Sequence, residues 1–220
     1  MGENPSNQHR RNYPVDQVNW FNAQRFTKKI SQLSGLPFRL PFEAEWEYAA
    51  RGGLKTKNFI YAGSNNAEQV AWFREKYYNT YVSKETGTKK PNELGLYDMS
   101  GNVYEWCMDW YDRKVPFTGN IAPIISEKDT HKVLRGGSYY TFEKYCKVTS
   151  RYGVNPQRWD IDYGLRGSVT TKLKEEHIIH CIILAPHCSK YCYYIQMSSR
   201  LIDRPVYKVH ILLMPVHKAD

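Results

Sequence analysis

A chain of 220 residues is long enough to bury a substantial hydrophobic core, and it fits one large domain or one domain with an appendage. Its formal charge is +9, from 31 basic and 22 acidic side chains, but the bases are dispersed and no helix-turn-helix, zinc-finger or RNA-binding motif accompanies them. The composition therefore excludes a typical nucleic-acid-binding protein and predicts a solvated basic surface. The apolar run from Ile178 to Ala185 is interrupted by His180 and is far too short to span a bilayer.

The five cysteines indicate no disulfide framework, because their number is odd and their spacing irregular. They occupy positions 107, 146, 181, 188 and 192. His180 and His187 lie near the last three, but the spacing matches no standard zinc site. The N-terminal residues contain no apolar stretch, so we expect no signal peptide.

Two helices are predicted in the first quarter of the chain. The first begins near Asn19 or Asn22, either of which can cap it, and ends at Gly35. The second runs from Glu43 to Arg51 and ends at Gly52-Gly53. Its acids Glu43, Glu45 and Glu47 lie near the start, where the helix dipole favours negative charge.

The rest of the chain predicts short strands between Gly- and Pro-rich loops. Strand candidates cover residues 59–63, 70–73, 131–134 and 146–151, and Asp160 to Arg166 lead to a last strand. After Arg166 the Trp and Gly pattern disappears and the chain gains His, Ile, Leu and Cys without clean periodicity. We place a boundary near residue 170.

The stretch from Gly95 to Trp106 is the most informative local pattern. Asp98 and Glu105 flank a bend at Ser100-Gly101-Asn102. Such a bend can direct carboxylates and backbone carbonyls toward one point, as Ca²⁺ requires. Alternatively, the two acids accept hydrogen bonds from nearby backbone amides.

Five segments in order resemble one family. They cover residues 14–20, 38–53, 92–106, 133–139 and 163–166, and include Phe-Glu-Ala-Glu-Trp-Glu, Gly-Leu-Tyr-Asp-Met-Ser-Gly-Asn-Val-Tyr-Glu-Trp and Leu-Arg-Gly-Gly-Ser-Tyr. Together they resemble the formylglycine-generating enzyme, or sulfatase-modifying factor, family. The resemblance implies an α+β fold, a C-type lectin-like formylglycine-generating-enzyme fold with much irregular structure.

The resemblance also implies a reaction and its cofactor. Family enzymes oxidise a sulfatase cysteine to formylglycine, using O₂ and a copper ion held by two cysteines shortly after the Gly-Gly-Ser turn. Here the second position is Cys146 and the first is Thr141, a hard oxygen donor that is a poor ligand for Cu(I). We therefore expect no two-thiolate copper site.

Calcium is implied at the central stretch. By resemblance, Asp98 and Glu105 would supply side-chain oxygens, and Gly101 and Val103 backbone carbonyls. A Ca²⁺ ion at these four residues is accordingly predicted.

The predicted domain organisation is a formylglycine-generating-enzyme-like domain over residues 1–168 and an unassigned tail over residues 169–220. The family domain normally begins with an earlier strand, so we expect this N-terminal strand to be lacking and a sheet edge to be exposed unless something replaces it. The tail is expected to be disordered or frame-shifted. Phe42 stands where the family has a capping Thr, which predicts a weakened second helix.

We predict a non-catalytic module that binds a protein or peptide ligand. Its contact surface is predicted at Tyr139, Tyr140, Phe142, Arg158 and Trp159, because Tyr, Trp and Arg are favoured contact residues. The alternatives are an active copper-dependent oxidase that converts a sulfatase cysteine to formylglycine, and a non-functional gene fragment. Family members are typically secreted or lumenal, and the sequence leaves the compartment open.

Overall fold

The structure, a computed structural model, describes most of the chain up to residue 172 and three later strands. The described residues are 4–6, 10, 12–74, 81–112, 130–172, 178–184, 193–198 and 208–213, the last three ranges by their backbone alone. No helix within them is long and apolar enough to cross a membrane. Of the N-terminal residues described, 4–6, 10 and 12–19, none lies in a strand.

Helix α1 spans Trp20–Ser34, and both of its predicted ends are confirmed. The Asn19 side chain accepts a hydrogen bond from the Asn22 amide at 2.8 Å, which satisfies one of the free donors of the first turn. Gly35 ends the helix with φ 71°, a left-handed conformation that glycine adopts at little cost. The buried face of α1 contacts the core through Trp20, Ala23, Thr27 and Ile30.

Helix α2 spans Glu43–Ala50 and begins without a capping side chain at Phe42. A distant residue supplies the acceptor instead, because the Asp109 Oδ2 atom accepts the Glu43 amide at 2.6 Å. Glu45 Oε2 accepts the Phe42 amide at 2.9 Å, which is the second half of a capping box. The weakened start predicted from Phe42 is therefore compensated from outside the helix.

The strands are short and form several small sheets. In chain order they are β1 Phe38–Arg39, β2 Ala71–Trp72, β3 Ser100–Gly101, β4 Tyr104–Trp110, β5 Lys132–Arg135, β6 Arg151–Val154, β7 Tyr163–Gly164, β8 Arg166–Lys172, β9 Ile178–Leu184, β10 Tyr193–Ser198 and β11 Lys208–Leu213. The largest sheet has the order β6-β5-β4-β7, and β2 pairs with β3 in parallel. Two helices beside small, mostly antiparallel sheets and long irregular connections confirm the predicted α+β class.

Two strand predictions need correction. The strand predicted at 146–151 is wrong: Glu143–Cys146 forms a 3₁₀ turn, and β6 begins only at Arg151. The segment 59–63 forms a tight turn with a single bridge between Tyr61 and Ser64. In contrast, β5 confirms the strand predicted at 131–134.

Strand β9 pairs with β8 over seven residues, from Arg166 opposite Leu184 to Lys172 opposite Ile178. β1 pairs with the other side of β8 at Ser168 and Val169, so both edges of β8 are paired at these two residues. β10 and β11 form a separate antiparallel pair. The remaining tail residues lie outside the described part of the chain, and the proposed boundary at residue 168 stays a prediction.

Buried ion pairs connect the second helix to the central sheet. Glu43 binds the Arg151 guanidinium at 2.6 and 2.7 Å, and Arg135 contacts both Glu43 and Glu47 while being fully buried. Glu43 and Glu47, which lie in the helix whose dipole was expected to favour acids near its start, also bind arginines on β5 and β6.

Candidate functional site

Asn102 joins three chain segments at the centre of the candidate site. It is buried and has φ 66°, and its backbone N–H donates to the Trp72 carbonyl at 2.8 Å. Its carbonyl accepts the Tyr139 amide, also at 2.8 Å. The Asn102 side chain binds Lys84 twice, accepting its amide at 3.0 Å and donating to its carbonyl at 3.1 Å. The bend predicted at Ser100-Gly101-Asn102 therefore holds the loops around it in place.

Cys146 is fully buried in the 3₁₀ turn Glu143–Cys146, which lies close to β3. It packs with Tyr61, Val70 and neighbouring apolar residues. Gly137 lies directly against it, because a Cβ added there would approach the Cys146 Sγ atom to 2.7 Å. The thiol is thus covered by backbone and separated from solvent.

Thr141 and Cys146 are brought together, as the resemblance implied for the two positions. The Thr141 Oγ1 atom accepts the Ser138 amide at 3.0 Å and lies near the Cys146 thiol. Burial raises the pKa of the Cys146 thiol to about 12, even though the nearby Thr141 hydroxyl and Ser138 amide lower it. At neutral pH the sulfur therefore keeps its proton and is a weak nucleophile.

An exposed aromatic cluster lies over the Thr141 loop. Tyr140 is 44% exposed and Phe142 50%. The Arg74 guanidinium carbon lies 5.8 Å from the Tyr140 ring centre, 5.3 Å from that of Phe142 and 4.8 Å from that of Tyr81. The Arg74 amide also donates to the Thr141 carbonyl at 2.8 Å, which ties this arginine to the loop.

The other predicted contact residues lie elsewhere. Tyr139 is buried and donates its hydroxyl to the Ile161 carbonyl at 3.0 Å, so its assignment to the exposed surface needs correction. Arg158 and Trp159 are exposed on the loop between β6 and β7, where Arg158 lies 3.9 Å from Asp160. The described contacts do not connect them to the Tyr140 cluster.

Asp98 is held in an unusual environment for a carboxylate. It has φ 56°, is buried, and accepts the Gly87 amide through Oδ2 at 2.8 Å. Its Oδ1 atom has no hydrogen-bond partner among the described residues. Burial raises the pKa of Asp98, although the Gly87 amide and the nearby Arg166 both lower it.

Three hydrogen-bond donors bind the Glu105 carboxylate. Its Oε2 atom accepts Trp46 Nε1 at 2.7 Å and Arg166 Nε at 2.8 Å, and its Oε1 atom accepts Arg166 Nη2 at 2.6 Å. The Glu105–Arg166 pair is about 1% exposed on both sides. These contacts use three of roughly four acceptor positions of the carboxylate.

The profile of the sulfatase-modifying factor enzyme 1-like domain matches residues 1–170. The chain belongs to this family. The segments that carried the resemblance lie in α2, in β3 to β5 and in β7, around the site just described.

Individual relatives and solved structures agree with this assignment. The chain is 30% identical to the chaperone protein LppX of Paenibacillus barcinonensis, over 76% of this chain and 73% of that protein. It is 32% identical to the formylglycine-generating enzyme of Streptomyces coelicolor, over 71% of this chain and 52% of the enzyme, so it spans about half of the enzyme's length. The structure of Treponema denticola variable protein 1 matches with a TM-score of 0.66 and 30% identity, over 76% of this chain and 77% of that chain.

The family's copper site does not fit the donors found here. Thr141 and Cys146 offer one hard oxygen and one buried, protonated sulfur, whereas Cu(I) selects soft thiolates. Cys107 is also fully buried, but it packs with Trp46 and Met99 in a different part of the core, and burial raises its pKa. Among the residues whose side chains are described, Cys146 therefore has no second thiol beside it.

The family's calcium site fits only in part. The unpartnered Oδ1 of Asp98 suits a hard cation. Glu105 does not fit in this arrangement, because the Arg166 guanidinium already occupies the place of a cation beside it. Gly101 pairs with Trp72 between β3 and β2, and Val103 is buried. Calcium at these four residues stays a prediction.

Two participants in the site were missed from sequence. Arg74 lies more than sixty positions before the rings of Tyr140 and Phe142, and Asn102 was considered only as part of a bend. No local pattern indicates Arg74. The Gly101-Asn102 pair did signal a left-handed turn, since asparagine adopts positive φ more readily than most residues.

Proposed function

We propose that this domain is a non-catalytic, protein-binding member of its family. One observation carries the proposal: Thr141 lies beside the buried Cys146 thiol and stands at the position where, by resemblance, the enzymes have the first of their two thiolates. A single buried thiol of raised pKa beside a hydroxyl lacks the soft ligands that Cu(I) requires. Activation of O₂ on copper therefore has no basis in these two side chains.

The binding part of the proposal is supported by the exposed rings. Tyr140, Phe142 and Trp159 are all more than 40% exposed, and such side chains contribute much of the energy at protein interfaces. The names of two relatives, a chaperone and a variable protein, are compatible with a binding role.

We further propose that Asp98 contributes to a Ca²⁺ site that stabilises the fold.

A Cu(I) titration tests the non-catalytic assignment. The purified chain is titrated anaerobically against a competing chromophoric Cu(I) chelator, together with Thr141→Cys and with the control Cys146→Ser. We expect the parent chain and Cys146→Ser to compete equally weakly, because the site lacks a second thiolate. Thr141→Cys should gain one-to-one binding, since it places a second sulfur next to the first.

Tight one-to-one binding by the parent chain that is lost in Cys146→Ser would overturn the proposal and favour the oxidase. Turnover of a sulfatase peptide by the parent chain with copper and O₂ would do the same.

A further inference from the structure

We propose that a basic–aromatic face on this domain binds an acidic segment of a partner protein. The face consists of Trp72, Arg74, Lys84, Lys89, Tyr140 and Phe142. This inference deepens the proposed binding function and rests on it. It specifies the chemistry of the partner, which is a polypeptide stretch rich in Asp and Glu.

Three aromatic rings position the Arg74 guanidinium at this face. Its guanidinium lies within 4.8 to 5.8 Å of the centres of three rings, Tyr81, Tyr140 and Phe142. Tyr81 and Tyr140 support each other edge to face at 5.5 Å. Ring faces attract a cation without neutralising its charge, so Arg74 is positioned while its planar N–H edge can still bind a carboxylate with two hydrogen bonds.

A second cation–ring group surrounds Trp72. The Lys89 ammonium lies 4.0 Å from a Trp72 ring centre, and the Lys84 ammonium 5.9 Å from it. Trp72 Nε1 donates to Thr88 Oγ1 at 3.1 Å, which fixes the orientation of the indole. Lys89 also donates to the Glu68 carbonyl at 2.6 Å, which restricts the position of its charge.

The two groups form one face because Asn102 connects the segments that carry them. Its four hydrogen bonds tie Trp72, Lys84 and Tyr139 together, and Tyr139 directly precedes Tyr140. This core is rigid, since Asn102 is about 1% exposed and all its backbone and side-chain bonds are made inside the domain. A partner would meet cations and rings that are already ordered, which lowers the entropic cost of binding.

Among the residues that the structure describes, no acid forms a salt bridge with Arg74, Lys84 or Lys89. Two acids next to the face in sequence bind other groups: Glu85 accepts from the side-chain amide of Asn12 at 2.8 Å, and Glu143 from the Tyr61 hydroxyl at 2.7 Å. The chain as a whole carries +9, which also favours the approach of an anionic partner.

Carboxylates fit this face better than a nucleic-acid backbone. The cations are separated by rings rather than aligned in a continuous row, as a regular line of phosphates would need. Charged side chains spaced along an extended acidic peptide can reach the two groups separately, while its backbone crosses the rings of Tyr140 and Phe142. Single-stranded nucleic acid stacking on these rings is the alternative to be tested.

Fluorescence anisotropy with defined probes tests the inference. The probes are a short fluorescein-labelled peptide of alternating Glu and Gly, the same peptide with Gln for Glu, and an oligothymidylate of matched charge. We expect the Glu peptide alone to bind well. Arg74→Gln should weaken its binding about tenfold, the value of one charge-assisted hydrogen bond.

Arg25→Gln is the matched control, because it removes the same charge from an exposed residue on helix α1, away from the predicted contact residues. It should leave the affinity within about twofold, well under the effect of one lost hydrogen bond. Phe142→Ala, a second variant at an exposed ring, should also weaken binding, and circular dichroism melting checks that each variant is folded. If Arg74→Gln unfolds the domain, Lys89→Gln takes its place in the comparison.

Three results would overturn the inference: no binding of the Glu peptide, equal losses in Arg74→Gln and Arg25→Gln, or tighter binding of the oligothymidylate. None of them bears on the copper titration. Failure here would therefore remove the acidic partner and leave the non-catalytic assignment to its own test.

Discussion

The buried carboxylates of this domain differ in the donors and cations that bind them. Glu105 is neutralised by Arg166 and by the Trp46 indole. Among the residues that the structure describes, no cation pairs with Asp162 in this way. Asp162 accepts a short hydrogen bond from the Ser138 hydroxyl, and burial raises its pKa from the usual 3.8 to about 6. A charged Asp162 is therefore a cost to the folded state at neutral pH.

This difference predicts how stability depends on pH. The native state binds a proton at Asp162 more tightly than the unfolded state does, so stability falls as pH rises from about 4 to about 6. Asp162→Asn removes the ionisation and keeps an acceptor for Ser138. It should raise the free energy of unfolding at neutral pH by up to about 3 kcal/mol and flatten the fall. Urea unfolding at several pH values measures this.

Asp160→Asn is the comparison for that experiment, because the nearby charge of Asp160 also raises the pKa of Asp162 while its own side chain is 42% exposed. It should flatten the fall less than Asp162→Asn does, because burial is the largest cause of the raised pKa. An unchanged pH profile in Asp162→Asn would contradict the interpretation.

At the scale of secondary structure, local signals decided some ends and distant residues decided others. The ends of α1 were predicted from Asn19 and Gly35, because both act through hydrogen bonds to residues within a turn. The start of α2 depends instead on Asp109, sixty-six positions from the amide it accepts. The 3₁₀ turn at Glu143–Cys146 likewise follows from the burial of Cys146 under Gly137, which a sequence pattern does not reveal.

The external cap predicts a specific loss in α2. Asp109→Ala removes the acceptor of the Glu43 amide and should lower the free energy of unfolding by about 1 kcal/mol more than Asp109→Asn does. The Asn variant is the matched control, since it loses the same charge near Lys132 and keeps a side-chain oxygen. Equal losses in the two variants, measured by urea unfolding, would show that the cap contributes nothing.

At the scale of the whole molecule, the helices and small sheets depend on one another through buried contacts. Arg135 and Arg151 join α2 to the central sheet, and Arg166 at the start of β8 joins Glu105 of β4. Breaking one partner of such a pair leaves an uncompensated buried charge, which typically costs several kcal/mol. Short strands connected in this way should unfold together.

A thermal melt followed by circular dichroism checks this expectation and the calcium prediction together. We expect one cooperative transition for the parent chain. Ca²⁺ should raise the midpoint temperature of this transition, because binding of the ion at Asp98 Oδ1 would stabilise the folded state. Asp98→Asn should lose the Ca²⁺ response, and Mg²⁺ serves as the ionic control. A melt without a cooperative transition, with or without Ca²⁺, would favour the non-functional fragment.

The family and the ends of the first helix could be predicted from the sequence, and the resemblance placed Thr141 where the enzymes have a copper-binding cysteine. These features reside in motifs or in hydrogen bonds between near neighbours, so a linear pattern is enough to find them. The pairing of Glu105 with Arg166, the Asp109 cap of α2 and the position of Arg74 among three rings follow from the tertiary fold instead. Each of these contacts joins residues tens of positions apart, and they meet only when the strands and loops between them have packed.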